Sequence, residues 1–152
     1  MSLHLKKIVL AGILGGILLL ATSVIFSAIA TTLSPYSIFD VPGMRPMSDP
    51  VSSLFFAAPF VVAFVSAIVY DIINPALSGG TFRKGIVFGY LLFLLVVLPS
   101  LFVVFSSMYF PDGFYIAGFL NGIIGYPLFG LLCALLWTGT EKLDFRAEAA
   151  RI

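Results

Sequence analysis

An all-α bundle of four transmembrane helices, arranged as two antiparallel hairpins, is the fold this chain predicts. Three observations carry that expectation. Hydrophobic residues make up 61% of the 152 positions and charged residues only 10%, whereas a soluble domain carries roughly a quarter charged. The apolar residues gather into four runs near the ~20 residues that cross a ~30 Å hydrocarbon core as helix. Nearly every Lys and Arg falls on one side of those runs. The length suits one domain, 1–152, with spans expected at 8–30, 53–73, 85–108 and 114–138. Barrel strands fit poorly, because they alternate apolar and polar residues, while Leu91 to Leu98 is apolar throughout.

The first span follows Lys6 and Lys7, and Ala28-Ile29-Ala30 would suit a leader-peptide cleavage site. Its apolar run exceeds the usual 7–15 residues of a leader, so a retained anchor is expected. Gly12 and Gly16 are four apart, as are Ala11 and Gly15, with Ser23 and Ser27 further along. Such small faces let helix backbones approach in lipid.

The connection 31–52 is the long outer loop. Pro35, Pro42, Pro46 and Pro50 exclude a continuous helix there. Arg45 is its single base, and Asp40, Asp49 and Asp112 are candidate partners that would pin the loop over the bundle. Met44 and Met47 offer thioethers that suit copper(I). Two sulfurs without Cys or His make a poor ligand set, and packing of both against aromatic rings is expected instead.

The second span carries Ala63 and Ala67 as a milder small face, and Asp71 as the acid within a span. Intramembrane carboxylates are functional suspects. Asp71 lies in the last turn, where its charge opposes the helix dipole, so it should seek a cation. Lys6, Lys7, Arg83 and Lys84 are the candidates. Asn74-Pro75 and Ser78-Gly79-Gly80 mark the connection to the third span as a turn region.

In the third span Pro99 removes a helical hydrogen bond and invites a kink, as do Pro59 in the second and Pro127 in the fourth. Pro111-Asp112-Gly113 reads as a tight turn. The fourth span carries Gly118 and Gly122 at helical spacing, then Gly125. Its Asn121 lies about seven residues, or roughly 10 Å, from the span start. Ser100, beside Pro99, should reach a similar depth. An amide–hydroxyl bond between the two would contribute ~0.6–2 kcal/mol. Cys133 reads as a small buried core residue, and 139–152 as a cytoplasmic tail that either extends the helix or lies on the surface.

Orientation follows from the basic residues. Lys6, Lys7, Arg83, Lys84, Lys142, Arg146 and Arg151 flank one face of the spans, which places both termini in the cytoplasm of a cell-membrane protein. Aromatic belts agree, with Tyr36, Phe39, Tyr109, Phe110 and Tyr115 outside and Tyr70, Phe82 and Trp137 inside. The Lys-Lys and Arg-Lys starts of the first and third spans, with Pro59 and Pro127 in the second and fourth, suggest a faint parallel duplication.

Function is less legible. A net charge of +1 gives no field to recruit nucleic acid. One cysteine excludes a redox pair, and one histidine, His4, outside the spans excludes paired haem ligation within them. No nucleophile–base or clustered-carboxylate pattern points to an enzyme, and no cofactor or metal is expected. The expectation is a non-catalytic bundle in the lipid bilayer: an accessory or assembly subunit of a membrane complex, or a homo-oligomer. The alternative is a small transporter or channel using Asp71, Asn121 and the Pro99 kink, which a polar cavity around Asn121 would favour.

Overall fold

The computed structural model describes residues 3–37, 41 and 43–149, with backbone alone for 140–149. Phe39, Asp40, Pro42 and Arg151, and the side chains of Lys142 and Arg146, lie outside what is described. Among the described residues the chain is all-helical, with no strand. Four helices are long and apolar enough to cross a membrane: Leu5–Leu33, Pro50–Ala76, Thr81–Ser107 and Asp112–Gly139.

The first is one unbroken helix, α1 (Leu5–Leu33). It begins and ends about a turn beyond the expected 8–30, since no Gly-Pro signal stops it and Pro35 lies past its end. The second opens as a 3-10 segment, Pro50–Ala57, capped by Asp49, whose carboxylate accepts the Val51 N–H. It then becomes α2 (Ala58–Ile73). Pro59 therefore sits in the first turn of α2, where its missing N–H costs no hydrogen bond. It is a helix start and not the expected kink, and it has no counterpart role to Pro127. That difference weakens the case for a duplication.

The third span joins α3 (Thr81–Leu92) and α4 (Leu98–Ser107) through a π-helical turn, Phe93–Val97. The fourth joins α5 (Asp112–Leu120) and α6 (Tyr126–Ala149) through another, Asn121–Gly125. Each wide turn is closed by the residue just before a proline: Leu98 donates to the Phe93 carbonyl before Pro99, and Tyr126 donates to the Asn121 carbonyl before Pro127. The cause is the proline ring, which lacks an N–H and crowds the carbonyl four residues back. An extra residue in the preceding turn moves that carbonyl aside. Asp112 and Gly113 prove to be the first turn of α5, with the Phe114 N–H on the Pro111 carbonyl, rather than a free-standing tight turn. The tail continues α6 to Ala149.

α1 packs along α2, α3 along α6, and α1 also meets α5 and α6. The first and fourth helices bury 39% and 44% of their most apolar windows, the second and third 17% and 22%, so the first and fourth form the centre. Packing is uneven along the bundle. Ala11, Ala63, Ala67, Tyr70, Phe88 and Phe129 form a dense core in the half nearest His4. There the Tyr70 ring meets Phe88 edge-on at 4.9 Å and Trp137 at 5.2 Å, a favoured aromatic geometry. Cys133 is fully buried in the same core. The half nearest Tyr36 is looser, and α4 buries no residue at all.

The small residues divide into two kinds of seam. The slots at Gly12 and Gly16 are filled by the rings of Phe64 and Phe60, and Gly15 by Phe129, so α1 accepts side chains where a close backbone approach was expected. Gly118 and Gly122 likewise receive Leu101 and Phe93. The close backbone approach belongs to Gly85 and Gly89 of α3, against Gly130 and its neighbours on α6. A Cβ at Gly85 would lie 2.7 Å from the Leu131 Cα, and one at Gly89 would strike the Pro127 backbone. That pair has the same four-residue spacing as Gly12 and Gly16.

Candidate functional site

Two polar constellations stand out, one in each half of the bundle. The deeper one centres on Asn121. The π turn begins at this residue, and its Oδ1 accepts a hydrogen bond from Thr22 Oγ1 of α1 at 2.7 Å. The Thr22 hydroxyl also lies 3.1 Å from the Leu19 carbonyl. Gly125 makes the meeting possible, since a Cβ there would strike Asn121 Oδ1 and come within 2.8 Å of Thr22 Oγ1. The expected Ser100–Asn121 bond does not form. Ser100 is exposed and donates to the Val96 carbonyl one turn back at 2.6 Å. α4, beyond the wide turn, buries no residue, and serine there satisfies itself on its own helix.

A half-open cavity of about 420 Å³ extends between Asn121 and the Tyr36 end of the bundle. Its polar lining is Ser23 and Ser27 of α1, Tyr36 and Ser37 beyond its end, and Asn121. Ser27 Oγ and Tyr36 Oη share a hydrogen bond of 2.9 Å. The apolar lining includes Leu20, Val24, Phe114 and the adjacent rings of Phe55 and Phe56. Among the described residues no Lys, Arg, His, Asp or Glu lines it. Residues four apart on a helix share a face, which is why Ser23 and Ser27 both reach the space. The sequence signal was the i, i+4 serine pair, read there as packing.

The second constellation surrounds Asp71. Its side chain is only 3% exposed and accepts three hydrogen bonds: the His4 backbone N–H at 2.9 Å, His4 Nδ1 at 2.8 Å and Trp137 Nε1 at 2.7 Å. Among the described residues none of the four expected basic partners pairs with it. Lys7 Nζ instead donates to the Trp137 carbonyl at 3.4 Å and lies 5.8 Å from that ring's centroid. Lys84 Nζ donates to the backbone and side-chain oxygens of Asn74. The His4 backbone N–H, the Trp137 N–H and the His4 imidazole already give both carboxylate oxygens a hydrogen-bond partner without any Lys or Arg. The sequence named His4 only for the ligation it excluded; its place just ahead of α1, level with the end of α2, was the missed signal.

The loop is pinned locally. Arg45 Nη1 meets Asp49 Oδ2 at 2.7 Å, four residues on, so this pair closes a turn within the loop, while Asp40 lies outside the described residues. The Val51 N–H, then the Arg45 guanidinium, hold the Asp49 carboxyl below its usual range. Met44 lines one cavity with Phe55 and another with Tyr109 and Phe110. Met47 is 69% exposed, contrary to the expectation that both methionines pack against rings.

Among the described residues, fold and sites together define an all-helical chain with four helices apolar enough to cross a membrane and a half-open cavity whose lining carries no charge. Compared with family models, curated proteins and solved structures, the chain matches none of them.

Proposed function

We propose that this chain is a non-catalytic cell-membrane protein, both termini cytoplasmic, that binds a small solute from the outer side, as a compact transporter or receptor subunit does. The observation that carries this reading is the cavity of about 420 Å³ reaching Asn121, within the ~300–1,000 Å³ of ordinary ligand pockets. The basic residues beside the His4 end support the orientation. The dense core below Asn121 argues for a blind cavity and against an open channel. Asp71 belongs to the other end, so a coupling role for it together with Asn121 loses support.

Thiol accessibility tests the reading. In Ser23→Cys, a small neutral thiol reagent added outside should block the new cysteine at least about tenfold faster than buried Cys133, which serves as the internal control. Equal, slow reaction of the two would remove the cavity and this function with it.

A second reading, an accessory or assembly subunit or a homo-oligomer, has its own support. α4 buries no residue and leaves an apolar groove of about 580 Å³ against α5, with Leu101, Phe105 and Tyr115 along it. Native mass measurement after mild detergent extraction distinguishes a lone chain from an assembly.

A further inference from the structure

We infer that the cavity above Asn121 selects an uncharged molecule with one hydrogen-bonding edge and one apolar face. The inference rests on the reading of that cavity as a binding site and names the chemistry it accepts. Its polar groups fall into a row: Asn121 at the floor, then Ser23, then the hydrogen-bonded Ser27 and Tyr36. On an ideal helix Ser23 and Ser27 are separated by about 6 Å along the axis, so the row is long enough to meet one edge of a ring-sized molecule. Phe55, Phe56, Phe114 and Val24 supply apolar surface to the same space. Flat rings pack well on such aromatic walls.

The described lining carries no charge, and that decides the rest. An ion entering this space would lose its hydration shell and meet no countercharge, a loss that hydroxyls and one amide do not offset. A neutral donor–acceptor group loses far less. Each lining group can act as donor or acceptor. Thr22 has one hydroxyl proton and two acceptors in reach, the Leu19 carbonyl and Asn121 Oδ1. Either Oδ1 takes that proton, or the amide turns and Nδ2 donates to Thr22 Oγ1. In both arrangements the other end of the carboxamide remains for a ligand. Asn121 is thus the residue that reads the deep end of the molecule, and Ser23 the one beside it.

Three probes that share one naphthyl ring and differ in charge test this: 2-naphthol, 2-naphthoate and 2-naphthylmethylammonium, titrated at neutral pH against the full chain in lipid nanodiscs, with empty nanodiscs as the partitioning control. The expected result is saturable binding of 2-naphthol alone, weakened about tenfold in both Asn121→Leu and Ser23→Leu. Trp137 fluorescence, reporting from the far end of the bundle, verifies that each variant is folded. If either charged probe binds as tightly as 2-naphthol, with the same sensitivity to Ser23→Leu, the selectivity is wrong while the cavity stands. If no probe saturates although Ser23→Cys reacts freely with thiol reagents, the inference fails and the open cavity remains. If Ser23→Cys is inert, both fall.

Discussion

Thr22 on α1 and Asn121 on the fourth span are hydrogen-bonded at 2.7 Å, at the level where the dense half of the bundle gives way to the cavity. Asn121 also starts the π turn, and Gly125 leaves the space its amide occupies. A hydrogen bond from α1, the wide turn and the space left by Gly125 therefore hold one side chain at the cavity floor.

Thr22→Val keeps the shape of the side chain and removes the hydroxyl. It should cost ~0.6–2 kcal/mol, the range for a hydrogen bond between membrane helices. Gly125→Ala should cost more, because its Cβ displaces both partners at once. Unfolding titrations in mixed detergent micelles measure both; a Gly125→Ala chain as stable as the parent would contradict the close contact.

The glycine seams make a paired prediction. Gly89→Ala sets a Cβ against the Pro127 backbone, which cannot turn aside, and overpacking of that kind costs about 1–3 kcal/mol. Gly12→Ala meets the Phe64 ring first, a side chain that can rotate, and should be the milder change. The order of the two in a thermal-stability assay is the check.

Asp71→Ala should destabilise the His4 end by on the order of 1–3 kcal/mol, since it strips partners from His4 and from Trp137. Trp137 is the sole tryptophan in the chain, so its emission reports directly on this carboxylate. Asp112→Ala, at the start of α5, should leave the emission unchanged.

Loop order should depend on pH through Asp49. Its folded carboxyl is held low, first by the Val51 N–H and then by Arg45. A depressed carboxyl contributes stability that is complete above its unfolded value and is lost as pH falls through the folded one. Protease cleavage within 43–52 should therefore rise in acid below the ordinary carboxylate range. Arg45→Ala should raise cleavage at neutral pH as well.

Some of this molecule was legible in one dimension. Hydropathy is a local property, so four long apolar runs placed four helices to within about a turn, and buried Cys133 followed from its apolar surroundings. Asn121 stood out as a polar residue deep in an apolar run, before any neighbour was known. Proline chemistry is local too, yet it pointed to kinks without saying which form they take: Pro99 and Pro127 follow π turns, while Pro59 starts a helix.

Partner choice was decided only in three dimensions. Gly12-x-x-x-Gly16 and Gly85-x-x-x-Gly89 are the same pattern in sequence, but one receives phenyl rings and the other a backbone. Asp71 had four lysines and arginines within its expected reach and took His4 and Trp137. Ser23 and Ser27 looked like packing residues and line a cavity with Asn121. The physical reason is common to all three. Periodicity says which side chains share a face, whereas the rotation and depth of each helix against its neighbours decide what that face meets.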